Sequence, residues 1–231
     1  MDFLSNVLKN LPDAASLGLV WGIMAVGVYI TFKILDIPDM TVDGTFALGG
    51  CLIASTVSSG MNPLLSTLLA IACGMAAGLV TGILHTKLKI PAILAGILTM
   101  LALYSVILMI MGGKSNIGLT QFGEGKVETI LDKISGSFGI SADTTNIALG
   151  LVLAIVIIAL LYWFFGTELG SMIRATGINE AMVKAQGGNT EMMKIIGLVI
   201  ANGFVALSGA LVAQIQRYGD VGMGTGTIVI G

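Results

Sequence analysis

The sequence predicts an all-α membrane protein, a polytopic helical bundle. Three observations predict it. Of 231 residues, 55% are hydrophobic and only 10% charged, a balance far from that of a soluble domain. The apolar residues gather into runs of the length needed to cross a hydrocarbon core, about 20 helical residues. Those runs are continuous, without the period-two alternation of a barrel strand, and lipid supplies no hydrogen-bond partner to any other backbone.

Seven segments can be drawn, at 15–35, 44–60, 63–85, 90–112, 146–166, 194–214 and one that starts near 226. Ahead of the first, Phe3, Leu4, Val7 and Leu8 fall on one helical face, predicting a short amphipathic helix over 2–9 at the membrane surface. The stretch from Met1 to Lys9 lacks a basic leader and a small-residue cleavage site, so the first span is expected to be retained. In the third, Gly74, Gly78 and Gly82 recur every four residues, a ridge that lets two helices approach closely. The thirteen methionines read as adaptable apolar packing. Residues 113–145 form an expected external loop and 167–193 an expected cytoplasmic one. The chain stops at Gly231, partway into an apolar run, so a C-terminal part is expected to be missing. Residues 1–231 are read as a single transmembrane domain.

Several function classes are disfavoured. The net charge of -2 and the lack of a Lys/Arg stripe argue against nucleic acid. Cys51 and Cys73 lie inside apolar runs and form no Cys-x-x-Cys pair, so neither a disulfide framework nor a metal site is suggested. His85, the single histidine, sits at a span end without ligand spacing and reads as interfacial. Gly112-Gly113-Lys114-Ser115 resembles the end of a phosphate loop, but Leu108 stands where the opening glycine is required.

Charge sets an expected orientation. Lys33, Lys87, Lys89, Arg174, Lys184 and Lys194 fall on one side, and Lys9, Lys114, Lys126, Lys133 and Arg217 on the other. Three of the latter lie in the long 113–145 loop, and long loops weigh less in the positive-inside rule. Arg174 and Lys184 are therefore placed in the cytoplasm.

Two segments carry the functional reading. Gly44-Thr45-Phe46-Ala47-Leu48-Gly49 recurs as Gly226-Thr227-Ile228-Val229-Ile230-Gly231, each copy opening a span and the two separated by an odd number of crossings. That is the mark of an inverted repeat with discontinuous helices, a recurrent transporter plan. Coincidence in a chain with 32 glycines is the competing explanation. On this reading Asp43, Gly44, Thr45, Asn202, Gly226 and Thr227 are the candidate path residues. An acid near membrane depth suggests a cavity, a cation partner or a substrate amine. Asp43 also suits a helix cap, and Asn202, mid-span, also suits helix packing.

The second segment lies between the fifth and sixth spans. Asn179 can cap, Glu180 suits a helix start, Lys184 lies four residues on, and Gly187 or Gly188 can supply a left-handed stop. A short surface helix over 180–186 follows, too short to stand without support.

With Gly170, Ile173, Arg174, Ala175, Gly177, Asn179, Glu180, Ala181, Ala185 and Gly187 in this order, the segment resembles the loop of permeases from binding-protein-dependent ATP-binding-cassette importers of the branched-chain amino acid and ribose type. Ser208-Gly209-Ala210-Leu211 and Gly222 to Gly226 are similar to that family's following span and glycine-rich segment. The resemblance implies that residues 179–187 form a coupling helix that docks on a separate ATPase. Arg174, Gly177, Asn179, Glu180, Ala181, Lys184, Ala185 and Gly187 are then its coupling residues. It further implies a second permease copy, an extracytoplasmic solute-binding protein and a bacterial inner-membrane location, with ATP used only by the partner subunit and no cofactor in this chain. The Asp36-Ile-Pro-Asp39-Met-Thr-Val-Asp43-Gly-Thr lead-in resembles a branch associated with aromatic amino acids, so the expected solute is a small polar molecule such as an amino acid.

The rival is a self-sufficient secondary transporter or channel, which needs ion-coupling acids inside the spans. An intramembrane enzyme needs a nucleophile with a base, or a metal motif, and the sequence offers neither.

Overall fold

The computed structural model describes residues 2–119 and 142–230; the expected loop residues 120–141 lie outside these. Helix α1 (Asp2–Tyr29) runs into a π turn (Ile30–Ile34), followed by α2 (Thr41–Ser58), α3 (Pro63–Thr86), α4 (Ala92–Ile110), strand β1 (Asn116–Gly118), α5 (Ala142–Phe165), α6 (Glu168–Ile178), α7 (Glu180–Ala185), α8 (Thr190–Gln216), strand β2 (Tyr218–Asp220) and α9 (Thr227–Ile230). Among the described residues, five helical segments are long and apolar enough to cross a membrane: 14–34, 63–86, 92–110, 147–165 and 190–216.

The expected second span is not among those five, and its place in the bundle explains why. Fourteen of the eighteen residues of α2 are buried, because α3, α4 and α8 surround it. A helix solvated by protein does not need a lipid-facing surface, so it carries Asp43, three threonines and three glycines at little hydropathic cost. By contrast, α5 is buried over only 17% of its most apolar stretch and has the highest hydropathy of the five, as a helix facing lipid requires.

Helix α8 is the axis. Small residues bring its neighbours close, since a glycine lets two backbones meet without an intervening Cβ. Gly74, Gly78 and Gly82 of α3 lie against Ala206, Asn202, Leu198 and Ile195 of α8, confirming the packing ridge, and Gly49 of α2 meets the Ala206 carbonyl while Gly209 meets that of Phe46. Around this seam Val20, Met24, Phe46, Val205 and Val212 form the main core, and Trp21 stacks at a tilt on Phe46 with ring centroids 5.0 Å apart.

Four expectations need correction. Residues 2–9 are continuous with the first span rather than a separate surface helix. The 113–145 segment is not wholly loop: β1 pairs antiparallel with β2, Ile117 opposite Gly219, and α5 starts at Ala142. The 167–193 segment holds two helices, α6 as well as α7. The short helix itself closes at Ala185, one residue before the expected end.

Candidate functional site

Two discontinuities meet at the middle of the bundle. In the first, the π turn shifts the α1 ladder, with Leu35 N–H donating to the Ile30 carbonyl at 3.0 Å. Gly177 of α6 packs on the Ile34 carbonyl, Asp36 takes a left-handed φ of 55°, and the chain turns back through Ile37–Met40 to start α2. In the second, the chain leaves α8 at Arg217 and descends along α2. Gly219 lies against Cys51 and Ala54, Met223 against Gly50, and Gly224 against the Asp43 carbonyl, after which α9 begins. Non-helical backbone of this kind is tolerated at membrane depth only where protein covers it, and the small residues of α2 provide that cover.

Asp43 joins the two. Its carboxylate accepts the Thr227 hydroxyl at 2.6 Å, the Ile228 N–H at 3.1 Å and the Gly226 N–H at 3.2 Å. It caps a helix, but the helix is α9, while its own position is in the first turn of α2. The two copies of the Gly-Thr echo are thus brought into contact. Beside Asp43 lies a cavity of about 170 Å³, bordered by Gly44, Ala47, Met100, Tyr104 and Thr225.

Thr45 and Asn202 sit deeper and are fully buried. Thr45 Oγ1 donates to Asn202 Oδ1 at 2.9 Å, and Asn202 Nδ2 donates to Asp39 Oδ2 at 2.8 Å and to the Leu198 carbonyl at 3.0 Å. Asp39, fully buried, also accepts the Thr41 N–H at 2.9 Å. From Thr41 the network continues through Thr81 (2.7 Å) to Thr99 (2.9 Å), tying α2, α3, α4 and α8 together. Sequence reasoning chose Asp43 and passed over Asp39; the pairing of Asp39 with a residue 163 positions away leaves no local signal.

At one end of the bundle, beyond Ile34, Thr86 and Phe165, lie α6 and α7. Thr167 caps α6 by accepting the Gly170 N–H, and Asn179 caps α7 by accepting the Met182 N–H at 3.0 Å. Gly187 ends α7 with a φ of +81°. Glu180 is the anchor. It pairs with Lys184 at 2.9 Å and with Lys194 at 2.7 Å, and accepts the Thr190 hydroxyl at 3.1 Å. Its carboxyl is lowered to about 2, first by the hydrogen bond from Lys194 and then by that from Lys184. Val183 is buried, whereas Asn179, Ala181, Met182, Lys184, Ala185, Gly187 and Ile178 are exposed. Arg174 is also exposed but lines a groove beside α1 and α5, not the outer face of α7. Lys87 pairs with Glu191 at 2.8 Å at the same end.

Cys51 and Cys73 are free, and no cluster of potential metal ligands occurs among the described residues. His85 caps no site; its Nδ1 hydrogen-bonds with the Ile90 carbonyl at the end of α3.

A family model described as branched-chain amino acid transport system, permease component, matches residues 10–231. The chain is 45% identical over 224 residues to a tyrosine transport system permease protein of Clostridioides difficile (strain R20291), covering 97% of this chain and 71% of the relative. It is 34% identical to an uncharacterized protein of Rickettsia prowazekii (strain Madrid E), covering 97% of this chain and 75% of that one. It is 30% identical over 210 residues to a ribose import permease protein of Escherichia coli (strain K12), covering 90% and 61%. No solved structure matches the chain.

Proposed function

The chain belongs to the branched-chain amino acid transport system permease family, a multi-pass membrane permease component, and from that premise we propose that α7 is the helix through which a separate ATPase drives it. The observation that carries this reading is the clamp on Glu180: α7 has six residues, too few to hold itself, yet Lys194 and Thr190 fix it to the start of α8, while Lys184 braces Glu180 from within α7. A short rigid lever passes motion into a bundle as a rigid-body shift. Its outer face offers Ala181, Met182 and Ala185, with Ile178 at the elbow, an apolar tip held clear of the spans and suited to a groove on a partner.

The translocation path runs beside the start of α2, where Asp43, Gly44, Gly226 and Thr227 gather at or next to a cavity, with Thr45 and Asn202 buried behind them as support. A second permease copy completes the path, and an extracytoplasmic solute-binding protein delivers the solute. The solute is an amino acid, a class supported by the family description and by the tyrosine transport relative.

Co-purification of the full-length permease with its ATPase tests the coupling. Ala181→Glu with Ala185→Glu, both on the exposed face, is expected to abolish recovery of the ATPase while leaving the permease folded. Recovery unchanged by that pair, or solute flux by the permease alone, overturns the reading.

A further inference from the structure

On the flank of the bundle, the last turns of α1 and its π turn lie beside the last turns of α5, and between them runs a groove of about 540 Å³. Ile30, Ile158 and Leu161 form its apolar walls, Tyr29 and Tyr162 stand at its mouth, and Arg174 of α6 closes the end beyond Phe165. Tyr29 is 56% exposed and Tyr162 86% exposed. Exposed tyrosines at the ends of two spans mark the headgroup level of a bilayer. Arg174 is exposed and makes no ion pair among the described residues.

The lining is apolar and aromatic, with Arg174 its one charged residue among those described. An acyl chain suits the apolar and aromatic walls, and a phosphate suits the single cation. We propose that this groove binds one anionic phospholipid, its acyl chain between α1 and α5 and its phosphate on the Arg174 guanidinium. The planar fork of arginine matches phosphate oxygens in pairs, and basic pockets between spans on the cytoplasmic side favour anionic headgroups. A helix from a second copy would cover the same walls but leave the guanidinium without a counter-charge, a costly arrangement away from water. A zwitterionic lipid carries its own ammonium, which competes with Arg174 for the phosphate. The proposal rests on the functional reading only in assigning the groove to the cytoplasmic leaflet; the lipid contact itself does not require an ATPase.

The test is native mass spectrometry of the full-length permease released from micelles containing phosphatidylglycerol or phosphatidylcholine. Wild type is expected to retain one phosphatidylglycerol. Arg174→Gln should retain roughly fivefold less, the factor expected for one basic residue at an anionic surface, and Arg174→Lys should recover part of it. Ile158→Trp, which fills the groove but keeps the charge, should also reduce retention, whereas Lys184→Gln, outside the groove, should not. Equal retention across all variants, or equal retention of the two lipids, overturns the proposal. Loss of a dimer in Arg174→Gln and Ile158→Trp with lipid retention unchanged would overturn it in favour of a second copy. Because the readout uses the permease alone, a failure of ATPase docking leaves the result interpretable.

Discussion

Asp43 accepts the hydroxyl of Thr227 at 2.6 Å across 184 positions of sequence. An acid in the first turn of one helix is the cap of another. The same carboxylate holds two backbone N–H groups at the start of α9, donors that a helix start leaves without intrahelical partners.

Asp43→Ala is therefore expected to release α9 and to cost about 0.5–2 kcal/mol, the range for losing a helix cap. Asp43→Asn, which keeps one carbonyl acceptor, should retain most of that. Thermal unfolding of the full-length permease measures the cost, and hydrogen exchange at Ile228 locates it. Slowed exchange in Asp43→Ala would contradict the assignment.

Asn202 gives a second prediction. Asn202→Leu takes from the Asp39 carboxylate its Asn202 donor, leaving it the Thr41 N–H, while the Thr45 hydroxyl falls back on the Thr41 and Val42 carbonyls; the cost expected for the under-satisfied carboxylate is about 1–3 kcal/mol. Asp39→Asn in the same background removes the uncompensated carboxylate and should recover part of the loss. A double-mutant cycle on thermal stability reads the coupling; additive losses would show that the two side chains do not interact.

The glycines separate by what surrounds them. Gly209→Ala drives a Cβ into the Phe46 carbonyl and Gly49→Ala into that of Ala206, whereas nothing stands within 4 Å of a Cβ at Gly18. The first two should cost about 1–3 kcal/mol, as overpacking does, and Gly18→Ala next to nothing. Expression and melting temperature of the three variants decide it.

Glu180 sets a pH dependence. Its folded carboxyl is lowered to about 2 from an ordinary 4.5, so the clamp's contribution is present in full above the ordinary value and is lost as pH falls from about 4.5 toward about 2. Spin-label distances between α7 and α8 should stay constant from pH 7 to pH 5 and broaden below that window. Lys194→Met should loosen α7 more than Lys184→Met, since Lys194 has 17% side-chain exposure and Lys184 58%, and exposed pairs contribute little. Equal broadening in both would argue against Lys194 as the main partner.

What the sequence made legible follows from how local each signal was. Asn179, Glu180, Lys184 and Gly187 act within one or two turns, so α7 is legible in its own residues. The glycine ridge on α3 was equally plain, because its period sits within one helix. Helix α6 was hidden by Gly170 and Gly177, which read as loop residues but serve close contacts with Phe165 and with Ile34. The β1–β2 pair has three residues a side, too few to show alternation. Asp39 stood in the lead-in to α2 as plainly as Asp43, yet its role depends on Asn202, and no local pattern signals that pairing.

Helix α8 carries two anchorages. Its first two turns grip α7 through Thr190 and Lys194, and twelve residues beyond Thr190, Asn202 grips the start of α2. At 1.5 Å per residue these points are about 18 Å apart on one continuous helix. One continuous helix thus holds both α7 and the start of α2, and on the coupling proposed for α7 a stroke received there is passed to the start of α2 through a single shaft.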